Sequence, residues 1–376
     1  MRCEIAQSAR ELMAEGIDEL TVYPSQTAEY LAALESSGLG KREPRHLLVF
    51  DKGELVLFAP CYLQISSEYD DLTRTLASPR IRRLVDLAAN LRILSRLEPA
   101  LVCSSPEAFY TVMSTGIKDP EERKHAALTM LGGLEELASA EGIELLAFLN
   151  VPSREETLWN LLPVKGYEGF VRDQSTHLDI TWSDFDEYLH SFSRSRRKSY
   201  NSEINRETRY GLNIREITGF ESIKESLSEV ASEMWGVRGK ESPFTPSYYE
   251  SMARWMRGKA SILAGYEGEK LQGFTLLFWH RDHMCAYQYS GRPNQFVRSS
   301  NLYFNICYNR TIDKAISMGM KWIRYGPGTL KVKIRRGCSL EDIGIFLKPL
   351  RKVHLPAIKI LVAHNRRTRS RLDSGS

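Results

Sequence analysis

Cations cluster behind a glycine-rich turn in the second half of the chain. Residues 322–325 predict a strand, and Gly326-Pro327-Gly328 predicts a sharp turn at its end. In the basic segment that follows, strand-like alternation would place Lys331, Lys333 and Arg335 on one side, where three cations are costly unless they meet solvent or an anion. A loop at the end of a central strand is a usual ligand site. The segment therefore predicts an anionic ligand or, as the alternative, an edge strand protected by lysines.

Two stretches far apart in the chain predict the same hairpin. Residues 45–63 and residues 260–279 each contain two β-rich runs joined by a short polar turn with a glycine. Each hairpin is followed by a helix that ends in glycine and leads into a strand, over residues 126–149 and residues 302–325. Glycine suits the positive φ of a helix C-cap. A repeat of this order predicts that the chain contains one unit twice.

The join between the units is predicted near residues 173–182. We expect a first α/β domain over residues 1–175, a second of similar architecture over residues 176–365, and a basic tail over residues 366–376. The leucine-rich basic run at residues 80–96 predicts a helix inserted in the first domain.

The composition is that of an ordinary globular protein. Its 376 residues are 42% hydrophobic and 26% charged, which argues against coiled-coil or largely disordered chains. We find neither a stretch of about 18 apolar residues nor an apolar signal core, so we expect a cytoplasmic protein with no membrane partner. The six scattered cysteines predict reduced thiols and no metal site. Cys338 is the exception to watch, because the basic run before it could lower its pKa.

Sequence patterns of the common nucleotide and hydrolase sites are missing. There is no dinucleotide glycine motif, no P-loop and no nucleophile elbow. His280-Arg281-Asp282-His283 resembles a kinase catalytic loop, but the accompanying kinase motifs are absent. Because it separates two strand-like runs, it predicts a hairpin turn.

The net charge of +4 hides an uneven distribution. Residues 191–211 carry six cations and two acids, residues 321–337 six cations and no acid, and residues 348–376 eight cations and one acid. Positive charge therefore concentrates in the second unit, which favours a polyanionic ligand over a neutral one. A solvated surface is the alternative for the tail.

Taken together, these features resemble the FemAB/FemX-like branch of the GNAT acyltransferase superfamily. The match lies in Gly319, in the turn Tyr325-Gly326-Pro327-Gly328 and in the segment Lys333-Ile334-Arg335-Arg336-Gly337; residues 192–198 are similar to the basic helix that opens the second domain of this group. The resemblance covers about residues 45–350. It implies an α/β fold of tandem GNAT-like domains, each a mixed, mainly antiparallel sheet flanked by helices, with a degenerate first domain. It also implies an N-acyltransferase that forms an amide bond.

The resemblance places Lys333 in the acyl-donor channel as the catalytic cation. A fixed cation can stabilise the tetrahedral oxyanion of acyl transfer by several kcal/mol in a dry site. Arg324, Val332 and Arg336 depart from the residues usual in the family, which argues against the peptidoglycan substrate of its type members. The predicted donor-binding residues are Arg298, Asn301, Tyr325, Gly326, Gly328, Lys331, Arg335 and Arg336, and the predicted tRNA phosphate contacts are Arg194, Arg196, Arg197 and Lys198.

The donor is predicted to be aminoacyl-tRNA. The loop before the long helix, at residues 298–301, has an arginine but lacks the glycines that cradle the pyrophosphate of CoA. Acyl-CoA or an acyl carrier is the alternative donor, Asn301 could instead cap the helix, and no tightly bound cofactor is expected. The predicted acceptor is a small amine in a pocket lined by Trp235, Arg238, Phe244, Tyr287, Tyr289 and Arg292, although core packing is the alternative role for each aromatic residue.

A non-enzymatic interpretation stays open from the sequence. If both units are degenerate, the basic helix would make the protein an RNA-binding or scaffolding module. The sequence leaves open the acceptor, the acyl group, the general base and the oligomeric state.

Overall fold

The computed structural model describes residues 1–39, 42–64, 99–106, 108, 110, 113–351, 355–356, 358–359 and 362–366. The predicted helix at residues 80–96 and residues 367–376 of the predicted tail lie outside the described residues. No helix in the described part of the chain is both long and apolar enough to cross a membrane.

The described part of the chain contains 15 strands and 12 α-helices. The strands are β1 (Arg2–Ala6), β2 (Arg42–Pro44), β3 (His46–Asp51), β4 (Glu54–Ala59), β5 (Cys61–Gln64), β6 (Ala100–Cys103), β7 (Ser114–Thr115), β8 (Leu145–Pro152), β9 (Glu168–Asp179), β10 (Leu212–Ile217), β11 (Ala260–Glu267), β12 (Lys270–His280), β13 (His283–Gly291), β14 (Trp322–Gly326) and β15 (Ser339–Pro349). The helices are α1 (Ala9–Ala14), α2 (Ala28–Ser37), α3 (Pro120–Glu141), α4 (Glu156–Val164), α5 (Phe185–His190), α6 (Arg194–Arg209), α7 (Lys224–Gly236), α8 (Pro246–Trp255), α9 (Gln295–Ser299), α10 (Leu302–Phe304), α11 (Arg310–Ser317) and α12 (Leu330–Arg335), with a π-helical turn at Asn305–Asn309. We call the part through β9 the first half and the part from α5 onward the second half.

Both predicted hairpins are present. Strands β3 and β4 pair antiparallel around Gly53 at φ 93°, and β11 and β12 pair in the same way around Gly268 at φ 59°. The predicted turn at residues 280–283 joins β12 to β13, with Arg281 at φ 52°. Positive φ lets a short turn match the twist of the strands it joins. Local sequence was therefore sufficient to predict these three connections.

The predicted helix, glycine and strand units are also confirmed. Helix α3 starts at Asp119, whose side chain accepts hydrogen bonds from two backbone N–H groups of the first turn, and it ends at Gly142 with φ 69° before β8. In the second half, Gly319 at φ 66° follows α11 and precedes β14. The second helix differs from the prediction because the π-helical turn interrupts it between α10 and α11. Such turns concentrate at functional sites.

The strands form a four-stranded antiparallel sheet and an 11-stranded mixed sheet that is mainly antiparallel. One sheet has the order β1-β3-β4-β7, and the other has the order β10-β11-β12-β13-β14-β9-β15-β8-β6-β5-β2. Only the β6–β8 and β13–β14 neighbours are parallel among the described strands. The predicted α/β fold class, with mixed, mainly antiparallel sheets flanked by helices, is confirmed.

The two halves exchange their last strands. Strand β9, which follows α4, pairs with β14, whereas β15, which follows α12, pairs with β8 and also with β9. Strand β9, at Glu168–Asp179, therefore crosses the join predicted near residues 173–182. Helix α2 also packs on α8 in a shared apolar core, where the Tyr30 and Phe278 rings are 5.4 Å apart. A continuous sheet and a shared core therefore fix the halves against each other.

Candidate functional site

The glycine-rich turn at the end of β14 leads into a helix. Gly326 and Gly328 have φ of 65° and 81°, and Thr329 has φ of 45°. Positive φ at three of four residues reverses the chain sharply, and glycine adopts this conformation without steric cost. The six residues of α12 follow directly. We call residues 326–329 the donor turn.

The three predicted cations do not lie in a row, because they belong to α12 and not to a strand. Side chains two residues apart on a helix point in nearly opposite directions. Lys331 and Arg335 are exposed, whereas Lys333 is only 4% exposed. The predicted strand was wrong because alternating cations do not distinguish a strand from a short helix that buries one of them.

Lys333 is anchored beneath the donor turn. Its Nζ donates hydrogen bonds to the backbone oxygens of Tyr325, Gly326 and Pro327 at 2.8, 2.9 and 3.0 Å. Burial lowers the pKa of Lys333 to about 8. Three carbonyl acceptors use all three protons of the ammonium group. An oxyanion would therefore have to replace one of these carbonyls in order to bind Nζ directly.

Two parallel strands separate next to this lysine. Strands β13 and β14 pair only from His283 to Cys285 and from Trp322 to Arg324, whereas β14 pairs with β9 on its other edge from Trp322 to Gly326. Since β13 continues to Gly291 without β14 beside it, the sheet opens at the level of the donor turn. An opening between strand ends in a sheet is a place where a ligand can enter.

Tyrosines connect the donor turn to the interrupted helix. The Tyr303 hydroxyl lies 2.9 Å from the Tyr308 hydroxyl and 3.2 Å from Thr329 Oγ1. The predicted donor residue Tyr325 is 7% exposed and packs its ring 5.1 Å from that of Tyr308. The π-helical turn thus positions Tyr308 against both the turn and the strand that precedes it.

Arg336 is buried and links neighbouring elements, and its role as a donor contact stays a prediction. Its guanidinium, 2% exposed, donates to Glu203 Oε2 at 2.5 Å and to Asn309 Oδ1 at 3.0 Å. Its Cζ also lies 4.7 Å from the centre of the Tyr200 ring. Arg336 therefore joins three elements, because Glu203 and Tyr200 belong to α6 and Asn309 to the π-helical turn.

The predicted basic helix, α6, packs directly against the segment that follows the donor turn. The Tyr200 hydroxyl donates to the Arg335 oxygen at 2.6 Å, and the Tyr188 hydroxyl of α5 donates to the Arg336 oxygen at 3.1 Å. A pocket of about 500 Å³ opens between α6 and α12. We call it the inter-helix pocket; its lining residues are Ser193, Ser195, Arg196, Ser199, Tyr200, Glu203, Phe304, Val332, Arg335 and Arg336.

The predicted phosphate contacts divide between two faces of α6. Arg196 lines the inter-helix pocket, whereas Arg194, Arg197 and Lys198 line a neighbouring groove of about 510 Å³ on the outer face. That groove also includes Arg209, at the C-terminal end of the same helix. The structure thus brings the basic helix and the donor turn into one positively charged region. Because the two segments are far apart in the sequence, the sequence alone could not show that they are neighbours.

The loop before α10 contains two further predicted donor residues. Arg298 is exposed at the end of α9. Asn301 has φ of 54° and makes no side-chain hydrogen bond to cap α10. The alternative capping role of Asn301 is therefore not observed, and donor binding by either residue stays a prediction.

The predicted acceptor residues lie in different parts of the second half. Arg292 is 7% exposed and forms ion pairs with Glu229, at 2.9 Å, and with Glu233. Of the aromatic residues, Trp235, Phe244 and Tyr287 pack in the core shared by the halves, and Tyr289 packs against Tyr303; Arg238 is exposed after α7. Ion pairing gives Arg292 a structural role, and no shared pocket for the six is found among the described side chains.

Cys338 is not an activated thiol. Burial raises the pKa of Cys338 to about 12, despite the opposing charges of Lys333 and Arg336. The expected effect of the basic run was wrong because desolvation outweighs it. All six cysteines are free, and the described residues contain no group of three His, Cys, Asp or Glu side chains able to hold a metal ion.

Sequence reasoning missed a second polar cluster between the halves. It contains Arg324 on β14, Glu341 on β15 and Arg154 after β8, with Arg154 Nε 2.6 Å from Glu341 Oε1. These residues come from strands that become neighbours only through the strand exchange. The one local signal was a charged residue within the otherwise apolar run of β14.

Comparisons with known proteins agree with this architecture. A family model named FemAB-like and described as peptidoglycan biosynthesis and recognition matches residues 5–341. A crystal structure of FemX superposes with a TM-score of 0.61 at 12% identity, covering 96% of this chain and 100% of that chain. The structure of L-PGS from Bacillus licheniformis gives a TM-score of 0.52 at 13% identity, covering 89% and 91%. At such identities the two structures show a shared fold only. No curated protein sequence is significantly similar to this chain.

Proposed function

The chain belongs to the FemAB-like family, and we propose that it is an N-acyltransferase that moves an aminoacyl group from aminoacyl-tRNA to a small amine. Family membership and the shared fold support an acyltransferase. The choice of donor and acceptor is our proposal and rests on the geometry around the donor turn.

One observation carries the choice of donor: the basic helix α6 packs against Arg335 and Arg336, at the end of the helix that follows the donor turn. The outer face of α6 presents Arg194, Arg197, Lys198 and Arg209 in a groove of about 510 Å³. A cationic helix face suits a nucleic-acid backbone, because each phosphate contact releases condensed counterions. The inter-helix pocket continues this surface toward the donor turn and adds two aromatic rings, Tyr200 and Phe304. Aromatic rings next to cations are typical of sites that bind unpaired nucleotides.

The proposed reaction is an ester-to-amide exchange. The acceptor amine, once deprotonated, attacks the carbonyl carbon of the aminoacyl ester. A C–N bond forms, the C–O bond to the terminal ribose breaks, and the ribose oxygen takes up a proton. The intermediate is a tetrahedral oxyanion, so fixed positive charge near the carbonyl oxygen lowers the barrier.

Lys333 supplies that charge in our proposal. Its ammonium group is fixed at the end of β14 by the oxygens of Tyr325, Gly326 and Pro327. A fixed cation requires little reorganisation during the reaction. We propose that the oxyanion displaces one of these three oxygens, since together they accept all three protons of the ammonium group.

Acyl-CoA is the second candidate donor, and the opening between β13 and β14 favours it. A pantetheine arm could enter where the two strands separate after Cys285 and Arg324. The two donors make different demands on the protein, because CoA needs only a short phosphate site and tRNA needs an extended cationic surface.

A transfer assay with both donors tests the proposal. The purified full chain is incubated with a mixed pool of radiolabelled aminoacyl-tRNA, or with labelled acetyl-CoA, together with a panel of amines, and amides are identified by mass spectrometry. We expect amide formation from aminoacyl-tRNA. Transfer from acetyl-CoA alone would show that the donor is acyl-CoA and not aminoacyl-tRNA. Transfer from neither donor, with RNA binding intact, would favour the scaffolding interpretation.

A further inference from the structure

A buried guanidinium lies between the halves with two unpaired nitrogens. Arg324 is 6% exposed, and neither Nη1 nor Nη2 has a hydrogen-bond partner among the described residues. Its Cζ lies 4.9 Å from the centre of the Tyr23 ring and 3.0 Å from that of Tyr110, both from the first half. A buried cation without hydrogen bonds is strongly destabilising. Both nitrogens are therefore available to donate to an acceptor from another molecule, beside the tyrosine rings and the Glu341 carboxylate.

Unpaired acceptor and hydroxyl atoms lie beside this guanidinium. Glu341 Oε1 accepts hydrogen bonds from Arg154, but Glu341 Oε2 has no hydrogen-bond partner in the described part of the chain and lies 3.9 Å from Arg324 Nη1. The hydroxyls of Ser175 and Tyr110 also have no hydrogen-bond partner in the described part of the chain. All of these side chains are less than one tenth exposed, apart from Arg154. The cluster thus contains guanidinium and hydroxyl donors and a carboxylate oxygen that make no hydrogen bond to the described residues.

The strand exchange explains why these groups share one face. Arg324 pairs with His177 of β9, and Glu341 of β15 pairs with Ser175, two residues earlier on β9. Residues opposite each other, and residues two apart, project from the same side of a sheet. The unpaired side chains therefore stand together on the face that the first half covers with Tyr23 and Tyr110.

The cluster also lies next to the donor turn. Arg324 directly precedes Tyr325, whose backbone oxygen accepts from Lys333. Thr176, between Ser175 and His177, donates its hydroxyl to the Gly326 oxygen at 2.9 Å. An acceptor bound at Arg324 would therefore meet the end of β14 from the first-half side, while a donor on α6 would meet it from the other side.

We propose that this cluster binds the acceptor and that the acceptor is an amine carrying a carboxylate, such as an amino acid or a molecule that ends in one. The two unpaired Arg324 nitrogens match the two oxygens of a carboxylate. The unpaired Glu341 Oε2 matches an ammonium group. Because Arg154 is paired with Glu341, the cluster has a single net positive charge, which fits a monoanionic carboxylate better than a phosphate dianion. The role as acceptor rests on the proposed function, whereas the binding site does not.

Paired ligands test the carboxylate directly. The full chain is titrated calorimetrically, without tRNA, with L-lysine, L-lysinamide and 1,5-diaminopentane, and with L-alanine and L-alaninamide. The same amines are then used as acceptors in the transfer assay. We expect at least one carboxylate-bearing amine to bind, and to react with a KM about 10 to 100 times lower than that of its amide, the range for a charge-assisted bidentate contact.

Variants assign the effect to the cluster. Arg324→Lys keeps the charge and much of the volume, and Glu341→Gln keeps the shape. We expect Arg324→Lys to raise KM for the carboxylate-bearing amine about 10-fold or more with little change for the amide, and Glu341→Gln to raise KM for both. The control is Arg257→Lys, an exposed arginine paired with Glu221 on the protein surface, which should change neither value.

The two proposals fail in different ways. Binding of a carboxylate-bearing amine that Arg324→Lys weakens, without transfer from any donor, would contradict the proposed function and support this site. If transfer is observed but KM is the same for the carboxylate-bearing amine and its amide, the inference is overturned. The same conclusion follows if Arg324→Lys leaves the ratio of the two KM values unchanged. Absence of both binding and transfer at millimolar amine would overturn both. The wild-type comparison of acid with amide does not depend on whether any variant folds.

Discussion

The two halves repeat one order of elements but complete it differently. In the first half β8 leads through α4 to β9, and in the second half β14 leads through α12 to β15. Each of β8 and β14 has a parallel neighbour, β6 and β13, and each half passes its last strand to the other. Because the two halves share one order of elements, the ends of β8 and β14 can be compared directly.

The strand ends differ in charge and backbone conformation. After β8, Glu155 is 4% exposed and pairs with Arg123 of α3, at 2.9 Å. After β14, the donor turn uses positive φ and places Lys333 under three carbonyl oxygens. The helix before β8 is regular over its 22 residues, whereas the one before β14 contains the π-helical turn. The second half thus carries a fixed cation at its strand end, whereas the first half contributes Tyr23 and Tyr110 to the polar cluster around Arg324.

The largest expected effect is the loss of the fixed cation. Lys333→Met should lower turnover about 10²- to 10³-fold, because the oxyanion loses its charge and the donor turn loses three hydrogen bonds. The matched change in the first half is Lys165→Met, at the exposed end of α4, which should stay within about 2-fold. Steady-state amide formation measures both, with circular dichroism as the control for folding. Similar losses in the two variants would break the comparison.

The second prediction concerns the ion pairs that tie helices to each strand end. Arg336→Met leaves Glu203 without its buried partner, so we expect a loss of about 3 to 5 kcal/mol in unfolding free energy. Arg123→Met should cost about 1 to 2 kcal/mol, since the Arg123 side chain is 32% exposed and burial has already raised the pKa of Glu155. Urea unfolding followed by fluorescence and circular dichroism tests this order. A larger loss of unfolding free energy for Arg123→Met than for Arg336→Met would contradict the prediction that the ion pair in the second half is the more stabilising one.

The third prediction is a bell-shaped pH profile. Burial raises the pKa of Glu341 to about 7 and lowers that of Lys333 to about 8. If Glu341 must be ionised to hold or deprotonate the acceptor amine and Lys333 must be protonated, kcat/KM falls about 10-fold per pH unit below pH 7 and again above pH 8. Arg154, Arg324 and Asp342 are the charged groups nearest Glu341.

Two carboxylate variants, one in each half, test which residue causes the acidic limb of this profile. Glu341→Gln should remove the acidic limb, whereas Glu155→Gln should leave both limbs in place. Profiles of kcat/KM between pH 5.5 and 9 decide the matter. An acidic limb that persists in Glu341→Gln would assign it to another group.

The smallest expected effect is on tRNA affinity. Arg197→Ala combined with Lys198→Ala should weaken tRNA binding several-fold and lower its salt slope by about 0.7 to 0.9 for each lost phosphate contact. The control pair, Lys118→Ala and Lys124→Ala, removes two exposed lysines at the start of α3 and should change neither value. Filter binding between 50 and 300 mM salt measures the slopes. Equal effects of the two pairs would indicate non-specific charge.

Local features of the fold were predictable from the sequence. The hairpins, the turn at residues 280–283, the two helix-ending glycines and the basic helix α6 each depend on a few neighbouring residues. A glycine or a short polar turn fixes the backbone there. The concentration of positive charge in the second half was also predictable, and α6 packs against α12 there.

Features that depend on distant contacts were not predictable. Helix α12 is short, and it is the burial of Lys333 against the Tyr325, Gly326 and Pro327 oxygens that selects helix over strand. Arg336 resembled a donor contact in sequence, yet Glu203, more than 100 residues away, pairs with it. The polar cluster of Arg324, Glu341 and Arg154 depends on the exchange of β9 and β15, which no local pattern encodes.

The central claim is that the second half binds the acyl donor through the inter-helix pocket and the donor turn. The most direct test uses tRNA esterified with a photoreactive aminoacyl analogue, cross-linked to the wild-type chain and mapped by peptide mass spectrometry. We predict cross-links within residues 193–204 and 303–336, with competition by aminoacyl-tRNA but not by acetyl-CoA. Cross-links at the first-half strand end, residues 152–165, or competition by acetyl-CoA alone, would contradict the account.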